Sequence, residues 1–151
     1  MNIIENSRKY LSDFIRLNED WISQYFSIEE TDKKLASNPF KIIKDGGYIF
    51  YLVSESEVIG VCALFSDGDD VFELARMAVS PAFHGKGYGN ILIEHCLSKL
   101  KEIGAKKVYL VSNTKLGAAI GLYKKYGFQI VSEGPHPVYS RANIVMERHV
   151  L

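Results

Sequence analysis

The sequence lacks most of the features that mark an exported, membrane-bound or nucleic-acid-binding chain. Cysteine is scarce, with only Cys62 and Cys96 in 151 residues. They form no CxxC pair and each lies in an apolar run, so they read as reduced, mostly buried thiols. Charge of one sign is not in excess, because 18 Lys and Arg balance 18 Asp and Glu. That balance offers no basic face to nucleic acid or to a membrane surface, and neither partner is expected. No uncharged apolar stretch is long enough to cross a bilayer, and no basic-then-apolar leader follows Met1. The expected location is therefore the cytoplasm. Repeats, low-complexity tracts and long linkers are missing too. His136 and His149 have no metal-ligand spacing, so no metal is expected.

What is present suits one domain, residues 1–151, with a substantial hydrophobic core. Residues 1 to about 45 read as helical. "YLSDFIRLNEDWISQYF" places Leu11, Phe14, Ile15, Trp21, Ile22 and Tyr25 at helical intervals, as one helix or two. In "SIEETDKKLA", Ser27 with Glu30 makes a capping-box pattern, and "SNP" ends that helix. The period then changes. Tyr48–Val53 and Val58–Phe65 read as a hairpin, and "VFELARMAV", apolar on both faces, as a central strand. A glycine-rich segment and a helix ending at Gly104 follow. "KKVYLVS" is a strand, "LGAAIGLYKKYG" a short helix, and "FQIVSE" and "ANIVMERHV" are closing strands. The predicted fold class is α/β (α+β): a mixed, mostly antiparallel sheet flanked by helices, with one parallel pair.

The glycine-rich segment "HGKGYGN" links the central strand to a helix. A Walker loop needs Lys-Ser/Thr after its last glycine, whereas Gly89 precedes Asn90 and Ile91. A dinucleotide loop needs GxGxxG, whereas Gly85, Gly87 and Gly89 give GxGxG. The physical logic of an anion site survives. A helix beginning near Gly87 leaves its first N–H groups without intrahelical acceptors, with the positive helix end behind them. A tight turn that merely needs flexible backbone is the alternative.

"MAVSPAFHGKGYGNILIEHCL" followed by "AAIGLYKKYGF" resembles the GNAT superfamily of acetyl-CoA-dependent N-acetyltransferases. The family pattern is a hydrophobic strand, Q/R-x-x-G-x-G/A and a helix, then A-x-x-L-Y-x-x-x-G-F. The likeness covers about 47–130, with about 1–45 as an acceptor-side helical segment and 131–151 as closing strands. It implies acetyl-CoA as acetyl donor and a primary amine of a small molecule or peptide as acceptor. The pyrophosphate would lie on Gly85, Lys86, Gly87, Tyr88, Gly89 and Asn90. Pantetheine would pair with backbone at Met77, Ala78 and Val79, where the central strand splays from its parallel neighbour. His84 stands where Gln or Arg is usual. Contact with the phosphates and shaping of the turn are both open to it. Asn113 lies three residues before the position, here Leu116, that many relatives give to a CoA-contacting Asn. Pantetheine contact and capping of the next helix with Thr114 are both open to it.

Attack by an alkylammonium, with a pKa of about 10 like lysine, requires loss of a proton. Glu73, in "FELARMAV", is the candidate base: a carboxylate among apolar strand residues has a raised pKa. It stands fourteen residues before Gly87, a spacing found in some members of the family. Positioning substrate without taking a proton is the alternative. The resemblance makes Tyr123 the candidate acid for the leaving thiolate. Tyr139 and Arg141 are expected at the acceptor mouth, where Arg141 would grip a carboxylate bidentately; a surface ion pair is the alternative. Trp21, Tyr25 and Phe26 would line the cleft or pack in the core. Neither cysteine has a base beside it in sequence, so no covalent intermediate is expected. The rival reading is a non-catalytic acyl-CoA sensor on the same fold. A homodimer is common in such folds.

Overall fold

The computed structural model describes residues 1–150. Strand β1 (Asn2–Glu5) leads into helix α1 (Leu11–Tyr25), helix α2 (Glu30–Ser37) and the single turn α3 (Lys41–Lys44). Strands β2 (Tyr48–Ser54), β3 (Glu57–Ser66) and β4 (Val71–Val79) follow as a meander. Then come helix α4 (Tyr88–Glu102), strand β5 (Lys107–Ser112), helix α5 (Gly117–Lys125) and strands β6 (Gln129–Glu133) and β7 (Ile144–His149). The seven strands form one sheet in the order β1-β2-β3-β4-β5-β7-β6, and β4 with β5 is its parallel pair.

Both faces of the sheet are covered, which is why its central strands read as continuous apolar runs. Leu92, Ile93, Cys96 and Leu100 of α4 pack on Phe50, Leu64, Leu74 and Val108 on one face. Phe14 and Leu17 of α1 pack on Ile49, Tyr51, Val61 and Ala63 on the other. Cys62 and Cys96 are free, fully buried thiols with sulfurs 3.6 Å apart. Among the described residues, no helix is long and apolar enough to cross a membrane.

The helical expectation for the N-terminal segment needs two corrections. Asn2–Glu5 is an edge strand, antiparallel to Phe50–Val53, because β2 has a free edge that four extended residues can satisfy. The capping box falls at Glu29 and Asp32 instead of Ser27 and Glu30. The Asp32 carboxylate accepts from the Glu29 backbone N–H at 2.8 Å. Asp32 is 3% exposed and held by two arginines, and this fixes where the helix starts. The first helix is one continuous element of 15 residues.

One irregularity shapes the middle of the sheet. Val61 pairs with Ala78 but Ala63 with Ala75, so β4 carries one residue more than β3 across this stretch. Arg76 takes up the bulge with φ +58°. A bulge bends and twists its strand. On the other side of β4, pairing with β5 covers only Val71–Glu73 against Lys107–Tyr109. Beyond Glu73 the two strands diverge and leave a gap in the sheet.

Candidate active site

The gap opens into a cavity walled by Leu74–Met77 of β4 and Leu110–Ser112 of β5. Asn18, Trp21 and Ile22 of α1, with Phe26 just after it, close it on one side, and Leu116, just before α5, with Ala119 and Tyr123 of α5 close it on another. Of the residues expected at the site, Glu73, Met77, Asn113, Tyr123, Tyr139 and Arg141 all line this one cavity. Residues 78–79 and 84–90 lie outside its lining, at the end of β4 and the start of α4.

Backbone direction at the end of β4 follows from one hydrogen bond. Ser80 donates its N–H to Ile59 O at 2.8 Å, toward β3. Successive residues of a strand alternate, so Val79 and, two residues earlier, Met77 turn their peptide groups toward the gap. Ala78, paired with Val61, faces β3 with its own groups. A ring nitrogen of His84, Nε2, sits 2.7 Å from Val79 O, closing the loop back on the strand.

Helix α4 begins at Gly87, which has φ +81° and no side-chain cap. The first N–H to bond back is that of Ile91, to Gly87 O at 3.3 Å. The N–H groups of Tyr88, Gly89 and Asn90 are thus the orphan donors of a helix of 15 residues. Gly85, at φ +74°, is the other left-handed position in the loop. Gly89 faces α5, where a Cβ would sit at ordinary contact distance, 3.4 Å, from Leu122. The Asn90 side chain accepts from Lys125 Nζ at 2.9 Å and from Tyr126 Oη at 3.0 Å, tying the two helices together.

Glu73 is 8% exposed. Burial pushes its carboxyl up to about 7, with help from Asp67 and against the opposing pull of Arg76 and Tyr109. The Tyr123 hydroxyl makes no hydrogen bond to the described residues. Burial, with Cys62 nearby, raises its pKa well above that of an ordinary phenol, so it keeps its proton at neutral pH. The Asn113 side chain donates to Arg141 O at 2.7 Å and accepts from Lys115 N at 2.9 Å. It therefore organises the turn between β5 and α5, and Leu116, the residue before α5, gives that helix no side-chain cap.

Arg141 is occupied within the chain. Its two terminal nitrogens reach the two oxygens of Asp32 at 2.7 and 2.8 Å, and Glu29 lies at 3.1 Å. Arg76 adds a further bond to Asp32 at 2.7 Å. Burial works to raise Asp32, but hydrogen bonds from Arg141, the Glu29 amide and Arg76 outweigh it and hold the carboxyl at about 2. The fork expected to grip an acceptor carboxylate thus grips one of the chain's own. Tyr139 lies against both guanidiniums, 5.8 Å from Arg76 and 5.4 Å from Arg141. Trp21 and Phe26 face the cavity, while Tyr25 is exposed.

Sequence reasoning passed over Asn18, Arg76, Asp32 and Tyr109. An arginine inside an apolar central strand is a visible anomaly, and so is a buried asparagine on an apolar helix face. Asp32 gave no such signal, because in sequence it is one charge among several.

Residues 14–128 match the model of a family described as the acetyltransferase (GNAT) family. The uncharacterized N-acetyltransferase YjgM of Escherichia coli strain K12 is 31% identical over 94 residues, spanning 60% of this chain and 56% of that one. The chain spans about half the length of the curated relatives it matches. A GNAT-family acetyltransferase structure from Staphylococcus aureus Mu50 has a TM-score of 0.88 at 21% identity, covering 99% of each chain. The structure of a phosphinothricin acetyltransferase from Sinorhizobium meliloti in complex with AcCoA has a TM-score of 0.80 at 16% identity, covering 99% of this chain and 88% of that one.

Proposed function

From the premise that the chain belongs to the acetyltransferase (GNAT) family, we propose that it moves an acetyl group from acetyl-CoA to a primary amine by direct attack in a ternary complex. The observation that carries this reading is the gap beyond Glu73, which joins a buried carboxyl and an unpartnered tyrosine hydroxyl in one cavity. The gap fits acetyl-CoA on two counts. Met77 and the Val79 N–H offer strand-edge backbone to the amides of pantetheine, the Val79 carbonyl being held by His84. The orphan N–H groups of Tyr88, Gly89 and Asn90, with Lys86 beside them, suit a pyrophosphate.

In this reading Glu73 takes the proton that the acceptor ammonium must lose, directly or through a water. Its raised pKa matches that task near neutrality. The amine nitrogen bonds to the thioester carbon, the C–S bond breaks, Tyr123 gives its proton to the departing sulfur, and the second proton leaving the new amide nitrogen restores the Tyr123 hydroxyl. Backbone N–H facing the gap stabilises charge on the thioester oxygen. The acceptor enters between α1 and Tyr139, where Trp21, Ile22 and Phe26 suit an apolar arm. With Arg141 committed to Asp32, an acceptor carboxylate has no anchor there.

Thiol release from acetyl-CoA across amino acids, polyamines, aminoglycosides and peptides tests the proposal. Amine-dependent release supports it, while binding of acetyl-CoA without turnover on any amine would favour a sensor. Glu73→Gln is expected to lower kcat by roughly 10²–10³-fold, and undiminished turnover would remove Glu73 as base.

A further inference from the structure

Glu73 and Tyr109 are the last residues paired between β4 and β5, directly opposite each other at the edge of the gap. The Tyr109 hydroxyl donates to Asp67 Oδ2 at 2.5 Å and stands 3.5 Å from Glu73 Oε1. Asp67 lies in the exposed turn before β4, and that turn is braced by Asp67 N to Val71 O at 2.9 Å and Val71 N to Gly68 O at 3.0 Å. One phenol thus bridges a buried carboxyl that lines the cavity and an exposed carboxyl in water.

We propose that Tyr109 and Asp67 are positioning residues for Glu73, linking its carboxyl to solvent so that the proton it takes up leaves by way of the Tyr109 hydroxyl. The inference rests on the reading of Glu73 as base.

The two unequal distances make chemical sense. A phenol has one proton to donate, and an ionised carboxylate can only accept. While Glu73 is ionised, the phenol proton is directed chiefly at the nearer Asp67 oxygen, at 2.5 Å, and more weakly at Glu73 Oε1, at 3.5 Å. Once Glu73 is protonated it becomes the donor, and its O–H can close on the phenol oxygen. The transfer then balances. Glu73 gives its proton to Tyr109 Oη as Tyr109 gives its own to Asp67, Asp67 releases a proton to water, and the hydroxyl rotates back. A bound acceptor fills the cavity side of Glu73, so an exit on the far side is of use in turnover. A turn that only needed pinning would gain nothing from a second carboxylate beside the same hydroxyl, since like charges repel.

The charged and titratable groups around Glu73 are Asp67, Arg76 on its own strand, Tyr109 on β5 and Tyr139 in the loop before β7. Asp67 works to raise Glu73, and the Tyr109 hydroxyl works to lower it.

The test is a carbon-13 NMR titration of the side-chain carboxyls and the tyrosine Cζ in the free, full-length protein. In the wild type, Tyr109 and Asp67 should both respond at the Glu73 midpoint. Asp67→Asn, in an exposed turn, should move that midpoint down by roughly one pH unit, and Tyr109→Phe should move it up. Midpoints unmoved by both substitutions, or no Tyr109 response at the Glu73 midpoint, would overturn the inference. That failure would leave the Glu73→Gln turnover result standing. Conversely, full turnover by Glu73→Gln would remove the base while leaving the titration linkage intact.

Discussion

At pH 8 Glu73 is a charge held in apolar surroundings, and folding loses free energy to keep it there. Its folded pKa of about 7 lies above the ordinary 4.5. The group therefore imposes no cost below pH 4.5, and stability is lost as pH rises through 7. Glu73→Gln should unfold at higher urea than the wild type at pH 8, by about 2 kcal/mol, with the difference gone at pH 4. With Glu73 as the proposed base, kcat/KM is expected to show the opposite sign and fall as pH drops below about 7. Tyr123→Phe deletes a hydroxyl with no partner in the fold. It should lower kcat while leaving acetyl-CoA affinity and stability near wild type, and a kcat unchanged in stopped assays of thiol release would remove Tyr123 as acid. Glu73 stood out in the sequence because it interrupts an apolar strand and Tyr123 because it fills the Tyr of an A-x-x-L-Y element, and both line the cavity. Asp32 did not stand out, because burial and pairing are properties of where α2 lands rather than of local sequence.

The elements are held in place by a few junctions. Asp32 of α2, Arg76 of β4 and Arg141 before β7 join three parts of the chain that are far apart in sequence. Removing one member of such a buried group leaves the others uncompensated, so Asp32→Ala should cost about 3–5 kcal/mol in a denaturant titration. The depressed pKa gives the matching pH effect. The Asp32 contribution is present above pH 3.8 and is lost as pH falls through about 2. Asp32→Asn should therefore flatten the acid limb of the stability profile. The junction of α3 with β2 depends on Gly47, where a Cβ would stand 2.8 Å from Ile42 O. Gly47→Ala should destabilise by roughly 1–3 kcal/mol. Elements whose apolar period is long were readable in advance: α1, α4 and the β2–β4 meander. Strand β1 was not, since four residues, two of them polar, show no period and become a strand only beside β2.

As a whole, the molecule is a sheet in two parts, β1–β4 and β5–β7-β6, joined by a ladder of only three residue pairs. Acetyl-CoA in the gap would bridge the parts. At about 100 times its Kd it should stabilise the protein by about 2.7 kcal/mol, a Tm rise of roughly 5–10 °C. From β2 onward the order of elements and the parallel pair followed from the sequence, because a strand–helix–strand connection permits little else. The depth of the gap did not, because the one-residue bulge at Arg76 and the end of pairing at Glu73 are set by how the strands meet, although the arginine itself stood out in its strand. That short ladder has a kinetic signature. Amides of Leu110–Ser112 that face β7 sit in a continuous run of pairs, while those that face β4 have no strand to close on. Hydrogen exchange along β5 should therefore alternate, slow and fast, residue by residue. Acetyl-CoA, proposed to pair with Met77 and Val79 on the β4 side of the gap, should slow exchange of those two amides, as though the ligand were an eighth strand.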